Sequence, residues 1–233
     1  MKTLSKRMKT VQALCDYTKT YRLKEAIAVL KKAPKLKFDE SIEISAALRV
    51  DPKQEKNASI RGTVALPHGT GKTVRVAVFC KGEEEKRAKE SGAEYVGAED
   101  LIAKVQSGWV DFDVAIATPD MMKDLAKLGK ILGPRGLMPN PKSGTVTQDT
   151  KKAINEVKAG KIEFKMDKQG GIHAAVGKLS FSEEALIANA LALIDAVMAS
   201  NPQGSSLRGQ HVKSLYISSS MGPGIKLDIG EFR

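Results

Sequence analysis

Residues 69–73, Gly-Thr-Gly-Lys-Thr, are of the types with which proteins hold the phosphates of ATP or GTP. A phosphate-binding loop also needs a glycine five residues before Gly71, and Leu66 occupies that position. The loop must lead into a helix whose N-terminus receives the phosphate. Residues 74–79 instead alternate as Val-Arg-Val-Ala-Val-Phe, which is typical of a strand. The segment therefore indicates a Pro/Gly-rich hinge before a strand rather than a nucleotide site.

Other catalytic patterns are also missing from the sequence. The strand predicted at 74–79 is followed by Cys-Lys-Gly and the acids Glu83–Glu85. These acids would repel the pyrophosphate of a dinucleotide. There is no GxSxG or HExxH motif, and the three histidines and two cysteines show no metal-ligand spacing. We expect no enzymatic activity, no cofactor and no metal site. The alternative is a nucleotide-dependent enzyme that uses this region.

The charge of the chain indicates a polyanionic partner. Its 233 residues carry 38 Lys and Arg against 27 Asp and Glu, a net charge of +11. Nucleic acid and an anionic membrane surface both fit this surplus. No segment is apolar over the roughly 18 residues that span a bilayer, and the start MKTLSKRMKT lacks the apolar stretch of a secretory signal. A basic amphipathic helix with bulky aromatics is also missing, so we expect a cytoplasmic protein that binds nucleic acid, not membrane.

The two ends of the chain predict helices and half-buried strands. Residues 6–33 predict one or two helices, which Pro34 ends. Residues 41–50 place an apolar side chain at every second position, as in a strand with one buried face. The later elements are a polar loop at 51–58, a hairpin within 161–181 that turns at Gly170-Gly171, a helix capped by Ser182, and strands at 211–220 and 225–229.

The middle of the chain shows a different order of predicted strands and helices. Strand patterns at 74–80, 93–97 and 112–118 are each followed by a helix pattern. This alternation predicts a parallel sheet with crossover helices, ending near Gly160.

The net charge is unevenly distributed along the chain. Residues 68–158 hold 15 of the 38 basic and 13 of the 27 acidic residues, a net of +2, which leaves +9 for the two flanking segments. If those segments pack together, the polyanion should dock on the domain that they form.

One long segment within the middle region resists a simple structural explanation. Residues 128–146 contain four Gly and three Pro, together with Lys130, Arg135 and Lys142. Loops of this length and composition often serve a function. The alternative is an extended connection that closes the parallel sheet.

Several stretches together resemble one known family. They are KFDESIEI at Lys37, RGTVALPHGTGK at Arg61, LGPRGLMPNPKSGTV at Leu132, GIHAAVGK at Gly171 and SSSMGPGIKLD at Ser218. The chain resembles, from about Leu4 to Asp228, the family of bacterial large-subunit ribosomal proteins that build the mobile stalk beside the tRNA exit site, protein one in the universal naming. In this family the Gly-Thr-Gly-Lys segment is a domain junction.

The resemblance implies an α/β protein of two domains. A discontinuous α+β domain (1–67 and 160–233) would bind RNA, and an inserted Rossmann-like domain (68–159) would adjust the contacts and motion of the stalk. The implied partners are the stalk helices of large-subunit rRNA, exit-site tRNA and the messenger RNA of its own operon. The implied roles are ribosome structure, release of deacylated tRNA and repression of translation, by a protein that is a monomer when free.

The resemblance also implies which residues touch RNA. Lys37 would meet phosphate, while Phe38 would either pack on a ribose or base or be buried beneath the sheet edge. Glu43 would either bond to RNA or pair with a neighbouring lysine. The turn at Met221 would either approach RNA closely or serve only as a hairpin corner. The full set of candidates is Lys37, Phe38, Ser41, Glu43, Ser214, Ser218, Ser220, Met221 and Gly222, with Lys165, Lys168 and His173 as further candidates.

The low aromatic content, 5% of the chain, affects the expected manner of binding. Platforms for single-stranded RNA need exposed aromatic side chains. The single tryptophan, Trp109, lies in the predicted insert. We therefore expect recognition of a folded RNA shape through backbone and 2′-hydroxyl contacts.

Overall fold

The computed structural model describes residues 5–34, 36–49, 60–200 and 211–232. Val50 and the loop predicted at 51–58 lie outside these residues. The chain divides into two compact units, Met1–Gly71 with Ile162–Arg233, and Lys72–Lys161. Both units mix helices and strands, so the prediction of an α/β protein is confirmed.

The first unit is built on a four-stranded antiparallel sheet in the order β7-β1-β8-β9. Its strands are β1 (Ser41–Leu48), β7 (Gly171–Lys178), β8 (Val212–Ser219) and β9 (Ile225–Leu227). The predicted alternation in β1 is confirmed, since Ile42, Ile44, Ala46 and Leu48 are all buried. One face of the sheet therefore forms the core, and the other carries the polar side chains.

Helices cover the apolar face of this sheet. The predicted N-terminal helical segment forms α1 (Lys6–Leu14) and α2 (Leu23–Lys32), and α8 (Glu183–Ala199) follows the sheet strand β7. Ser182 caps α8 as predicted, because its hydroxyl accepts a hydrogen bond from the Ala185 amide. The buried stripe of α8 joins α2 and the sheet in one core cluster. No helix in the described part of the chain is long and apolar enough to cross a membrane.

The hairpin predicted within 161–181 is wrong in its pairing. Both strands exist, but β6 (Lys161–Lys165) pairs with β2 (Arg61–Ala65), whereas β7 pairs with β1. Only an isolated bridge, between Met166 and Ile172, joins the two across the turn. Asp167 shapes this turn, because its carboxylate accepts hydrogen bonds from the Gln169 and Gly171 amides. The two strands then separate into different sheets.

A buried asparagine holds the segment that leads out of the first unit. Asn189, in α8, is fully buried. Its side-chain amide donates to the carbonyls of Gly69 (2.8 Å) and Val176 (2.7 Å), and its oxygen accepts from the His68 amide (3.0 Å). All of its hydrogen-bonding groups but one oxygen lone pair are thereby used. The Gly-Thr-Gly-Lys segment thus begins fastened to the sheet and to α8.

The second unit contains a three-stranded parallel sheet in the order β4-β3-β5. The strands are β3 (Val76–Phe79), β4 (Tyr95–Gly97) and β5 (Val114–Ala117), with the helices α3 (Glu83–Glu90), α4 (Glu99–Gln106) and α7 (Thr150–Lys158). Hydrophobic clusters lie on both faces of the sheet, as a parallel sheet requires. The predicted alternation of strands and helices is confirmed.

The Gly/Pro-rich segment 128–146 folds around short helices and a tight turn. After α5 (Met122–Leu125) and α6 (Gly129–Leu132), the chain turns at Asn140, whose side chain accepts from the Lys142 amide. The hydroxyl of Thr145 accepts from the Asn140 amide at 2.8 Å. Val146 then bridges to Ala117 beside β5, so the segment extends the parallel sheet by one bridge. This agrees with a connection that closes the sheet.

Candidate nucleic-acid interface

Two segments from opposite ends of the chain meet at one end of β1 and β8, the two central strands of the four-stranded sheet, and form the exposed edge of the sheet at that end. The Ser220 amide donates to the Ser41 carbonyl at 3.0 Å. The Ser41 amide donates in return to the Ser220 hydroxyl at 3.1 Å. This pair joins residues 37–43 to residues 218–222 across 179 positions of sequence. The two stretches that the family resemblance singled out therefore form one continuous edge.

A buried carboxylate lies beneath this edge. Glu40 is only 3% exposed, and it accepts hydrogen bonds from the Ser219 hydroxyl and from the Met221 amide, the latter at 3.4 Å. The guanidinium of Arg7 donates to the Met221 carbonyl, which brings α1 to the same turn. Gly222 packs so closely on Ser219 that any Cβ would overlap the serine hydroxyl. The turn is thus held by specific polar contacts.

The side chains at the rim of the edge point into solvent. Phe38 is 55% exposed and Met221 is 58% exposed, and Lys37 is also exposed. Burial of Phe38 beneath the sheet edge is therefore wrong. The neighbouring Asp39 fixes the backbone here, because its carboxylate accepts from the amide (3.1 Å) and hydroxyl (2.7 Å) of Ser180. The edge thus offers apolar groups and a cation on an ordered loop.

The outward face of the sheet continues from this edge. Glu43 lies opposite Ser218 of β8 and is exposed, and it makes no ion pair within the described ranges. The alternative, pairing with a neighbouring lysine, is not seen among the residues that the structure describes. Lys178 contacts Ser41 instead, since its ammonium donates to the serine hydroxyl at 2.8 Å. Ser214 and Ser218 lie half-buried on this outward face, and Ser220 follows them at the exposed edge.

The three further candidates, Lys165, Lys168 and His173, lie in two different parts of the first unit. His173 lies on the outward face, where its Nδ1 is 3.0 Å from the Ser45 hydroxyl. Its Nε2 lies 4.0 Å from the carboxylate of Asp167. Backbone hydrogen bonding, from Gly171 first, lowers the pKa of Asp167. Lys168 is exposed in the turn beside it, whereas Lys165 is exposed on β6, in the other sheet. The structure therefore places His173, but not Lys165, on the same face of the sheet as Glu43 and Ser218.

Sequence reasoning missed several residues of this surface. Arg7 and Glu40 act through contacts with residues more than 170 positions away, so no local pattern could reveal them. The sequence could have indicated Tyr216, because Ser214, Tyr216 and Ser218 occupy every second position of one strand and therefore share a face. The structure adds Glu40 beneath the surface, and the residues that it adds to the surface itself are Arg7, Ser45, Lys178, Tyr216 and Lys226.

The Gly-Thr-Gly-Lys segment has no geometry for nucleotide binding. The element that follows it is the strand β3, so no helix N-terminus faces a phosphate there. The ammonium of Lys72 donates to the Asp113 carboxylate at 2.6 Å. This hydrogen bond is the largest cause that lowers the pKa of Asp113 to about 2. The lysine thus belongs to a charged network of the second unit.

Comparison with known proteins agrees with the resemblance noted in the sequence. The model of the ribosomal protein L1p/L10e family matches residues 29–223. The large ribosomal subunit protein uL1 of Protochlamydia amoebophila is 52% identical over 227 residues, which cover 97% of this chain and 95% of that protein. Both matches are to ribosomal proteins, not to nucleotide-dependent enzymes, so the prediction of a non-enzymatic ribosomal protein is confirmed. The chain belongs to the ribosomal protein L1p/L10e family.

Proposed function

We propose that this protein is a structural component of the large ribosomal subunit that binds the stalk region of large-subunit rRNA. The observation that carries the proposal is the reciprocal hydrogen bonding of Ser41 and Ser220, which unites the two resembling stretches in one surface. Residues 1–67 and 160–233 would form the RNA-binding domain, and residues 68–159 the inserted Rossmann-like domain. A ribosomal protein of this family works in the cytoplasm.

The chemistry of the edge suits a folded RNA. Lys37, Lys178 and Arg7 supply positive charge to phosphates, in the part of the chain that carries most of the net charge. Hydroxyl groups of Ser41 and Ser220 and the carboxylate of Glu43 suit 2′-hydroxyls and base edges. The exposed turn at Met221 brings backbone groups to a position that RNA can approach.

The apolar rim would add contacts that charge alone does not provide. Phe38 and Met221 expose most of their side chains to water at the edge. Burying them against a ribose or a base is favourable by the hydrophobic effect. Such contacts depend on shape, so they favour one RNA fold over another.

Two further roles rest on the resemblance alone. The protein would help deacylated tRNA leave the exit site, and it would repress translation by binding the messenger RNA of its own operon. Both fit one RNA-binding surface if the messenger copies the fold of the rRNA site. The free protein would be a monomer and would not bind membranes.

Titration of the full chain against a stalk-helix RNA fragment and an unrelated duplex, at several salt concentrations, tests the proposal. We expect the stalk RNA to bind roughly a thousandfold more tightly, with the logarithm of each affinity falling as the logarithm of salt rises. Equal affinities would show that the charge attracts RNA without selecting it, and would refute the proposal.

A paired variant tests the location of the surface. Lys37→Ala combined with Met221→Ala removes a cation and an apolar contact from the edge, and we expect a loss of at least about tenfold for the stalk RNA. The matched control is Lys142→Ala with Leu191→Ala, which removes the same kinds of exposed side chain elsewhere. An equal loss in the control would refute the edge as the site.

A further inference from the structure

The outward face of the four-stranded sheet holds one row of side chains unlike its neighbours. The strand register places His173 of β7 opposite Ser45 of β1, Ser45 opposite Tyr216 of β8, and Tyr216 opposite Lys226 of β9. The next rows carry mainly serine, alanine and glycine, for example Ala47 beside Ser214. Two ring-bearing side chains and a lysine are therefore gathered in one row, and the rows beside it carry small side chains apart from Glu43.

Tyr216 is the central side chain of this row. It is 38% exposed although its strand lies inside the sheet, between β1 and β9. Its hydroxyl makes no hydrogen bond with any of the residues that the structure describes. Both neighbours along the face, Ser214 and Ser218, are small. The ring is thus partly accessible from the solvent side of the sheet.

His173 and Tyr216 stand on either side of Ser45. They belong to the two strands that flank β1, so their backbones are about 10 Å apart, twice the usual strand spacing. The imidazole leans toward Ser45, whose hydroxyl lies 3.0 Å from its Nδ1. The small polar side chain of Ser45 therefore lies between two ring-bearing side chains. A flat aromatic group above Ser45 would be placed to stack on the tyrosine.

We propose that this row binds an unpaired nucleotide of the RNA, with the base stacked on Tyr216 above Ser45 and the adjoining phosphate beside Lys226. The inference rests on the proposed RNA-binding function and extends its surface from the edge across the sheet. It also changes the manner of binding, because the low aromatic content predicted no stacking. Every base has a π face, so this row would require an unpaired base without specifying its identity.

An RNA is favoured over an acidic protein segment by the row itself. The carboxylates of an acidic peptide would satisfy Lys226, but they give Tyr216 no flat aromatic group to stack on. A nucleotide supplies a planar base and a phosphate on one unit. The continuity of the row with the edge also supports it, since Ser218 lies beside Glu43 on the same face.

Binding of the full chain to a stalk-helix RNA fragment with 2-aminopurine at an unpaired position tests the proposal. The variants are Tyr216→Ser, Tyr216→Phe and the matched control Tyr17→Ser, another exposed tyrosine in the same unit. We expect Tyr216→Ser to weaken binding roughly tenfold or more and to restore 2-aminopurine fluorescence at one position. Tyr216→Phe keeps the ring and should bind within about twofold of the parent, as should Tyr17→Ser.

The other outcomes refute either the stacking site alone or the proposed function as well. If the parent prefers the stalk RNA and Tyr216→Ser binds it equally well, the stacking site is refuted and the proposed function stands. A Tyr216→Phe variant as weak as Tyr216→Ser also refutes stacking, because the hydroxyl would then be the group that matters. If the parent shows no preference for the stalk RNA, the proposed function fails and the inference fails with it. Thermal unfolding of each variant confirms that the fold is retained.

Discussion

Glu40 and Ser219 are buried together beneath an otherwise solvent-exposed edge, and the serine hydroxyl donates a hydrogen bond to the carboxylate. The same carboxylate oxygen also accepts from the Met221 amide. Because a buried carboxylate is costly to desolvate without partners, this contact makes the turn at 219–222 depend on Glu40. The residue that orders the candidate RNA surface is thus itself hidden from RNA.

Replacing this carboxylate should weaken both the fold and RNA binding. Glu40→Ala leaves the Ser219 hydroxyl and the Met221 amide without their partner, so we expect the free energy of unfolding to fall by about 1–3 kcal/mol. The stalk RNA should bind more weakly because the turn loosens. Urea unfolding and RNA titration measure the two effects. The control Glu43→Ala, on the exposed face, should change the unfolding free energy by less than about 0.5 kcal/mol. Equal destabilisation by both would contradict the role of Glu40.

A side chain at position 222 should damage the turn through Ser219. The Cβ of Gly222→Ala would overlap the Ser219 hydroxyl, so the serine must rotate away from Glu40. We expect a destabilisation of about 1–2 kcal/mol and a clear loss of affinity for RNA. In a Ser219→Ala background, which lacks the hydroxyl, Gly222→Ala should cost less. A double-mutant cycle by urea unfolding checks this, and strictly additive effects would show that the two positions are not coupled.

Asn189 should be essential for the segment that precedes Lys72. Asn189→Ala leaves the His68 amide and the carbonyls of Gly69 and Val176 without this partner, with an expected cost of about 2–4 kcal/mol. Proteolysis near residues 68–71 should also become faster. The matched control is Asn155→Ala, an exposed asparagine in α7, where alanine should be neutral or slightly stabilising. Unchanged cleavage in Asn189→Ala would contradict the proposed fastening.

The second unit should lose part of its stability in acid through Asp113. Its pKa is lowered from 3.8 to about 2, chiefly by the hydrogen bond from Lys72. A lowered folded-state pKa stabilises the fold above the unfolded pKa, and this stabilisation disappears as the pH falls through the folded-state value. The window therefore runs from about pH 4 down to about pH 2. Because the lysine is largely exposed, we expect a contribution of only roughly 1–2 kcal/mol.

The variant Asp113→Asn isolates this contribution. At neutral pH it should unfold more easily than the parent by that amount, and the difference should shrink as the pH approaches 2. Urea unfolding from pH 7 to pH 2 gives the comparison. Lys72→Met should reduce the pH dependence in the same direction. A difference that stays constant over the whole range would assign the effect to packing instead of charge.

Local patterns predicted much of each element correctly. The alternation in Ser41–Leu48 identified both the strand and its buried face, because side chains in a strand alternate strictly between the two faces. Ser182 with its two following acids identified the start of α8, since a cap and the charges that suit a helix N-terminus are both local signals. The strand after Lys72 was likewise sufficient to argue against a nucleotide loop.

Pairing between strands was not predictable in the same way. Lys161–Lys165 and Gly171–Lys178 lie only a short turn apart, yet they pair with different partners. The choice depends on which distant strands compete for each edge, and period-two patterns contain no information about partners. The hairpin prediction failed for this reason.

By itself, the sequence determined the family of this protein, the types and faces of most of its elements, and the concentration of positive charge in its two terminal segments. Each of these follows from residue types and their spacing along the chain. Only the tertiary structure decided that Ser41 meets Ser220, that Glu40 is buried beneath them, and that His173, Ser45, Tyr216 and Lys226 share one row. Those relationships arise from antiparallel register and core packing among segments far apart in the chain, which local spacing does not encode.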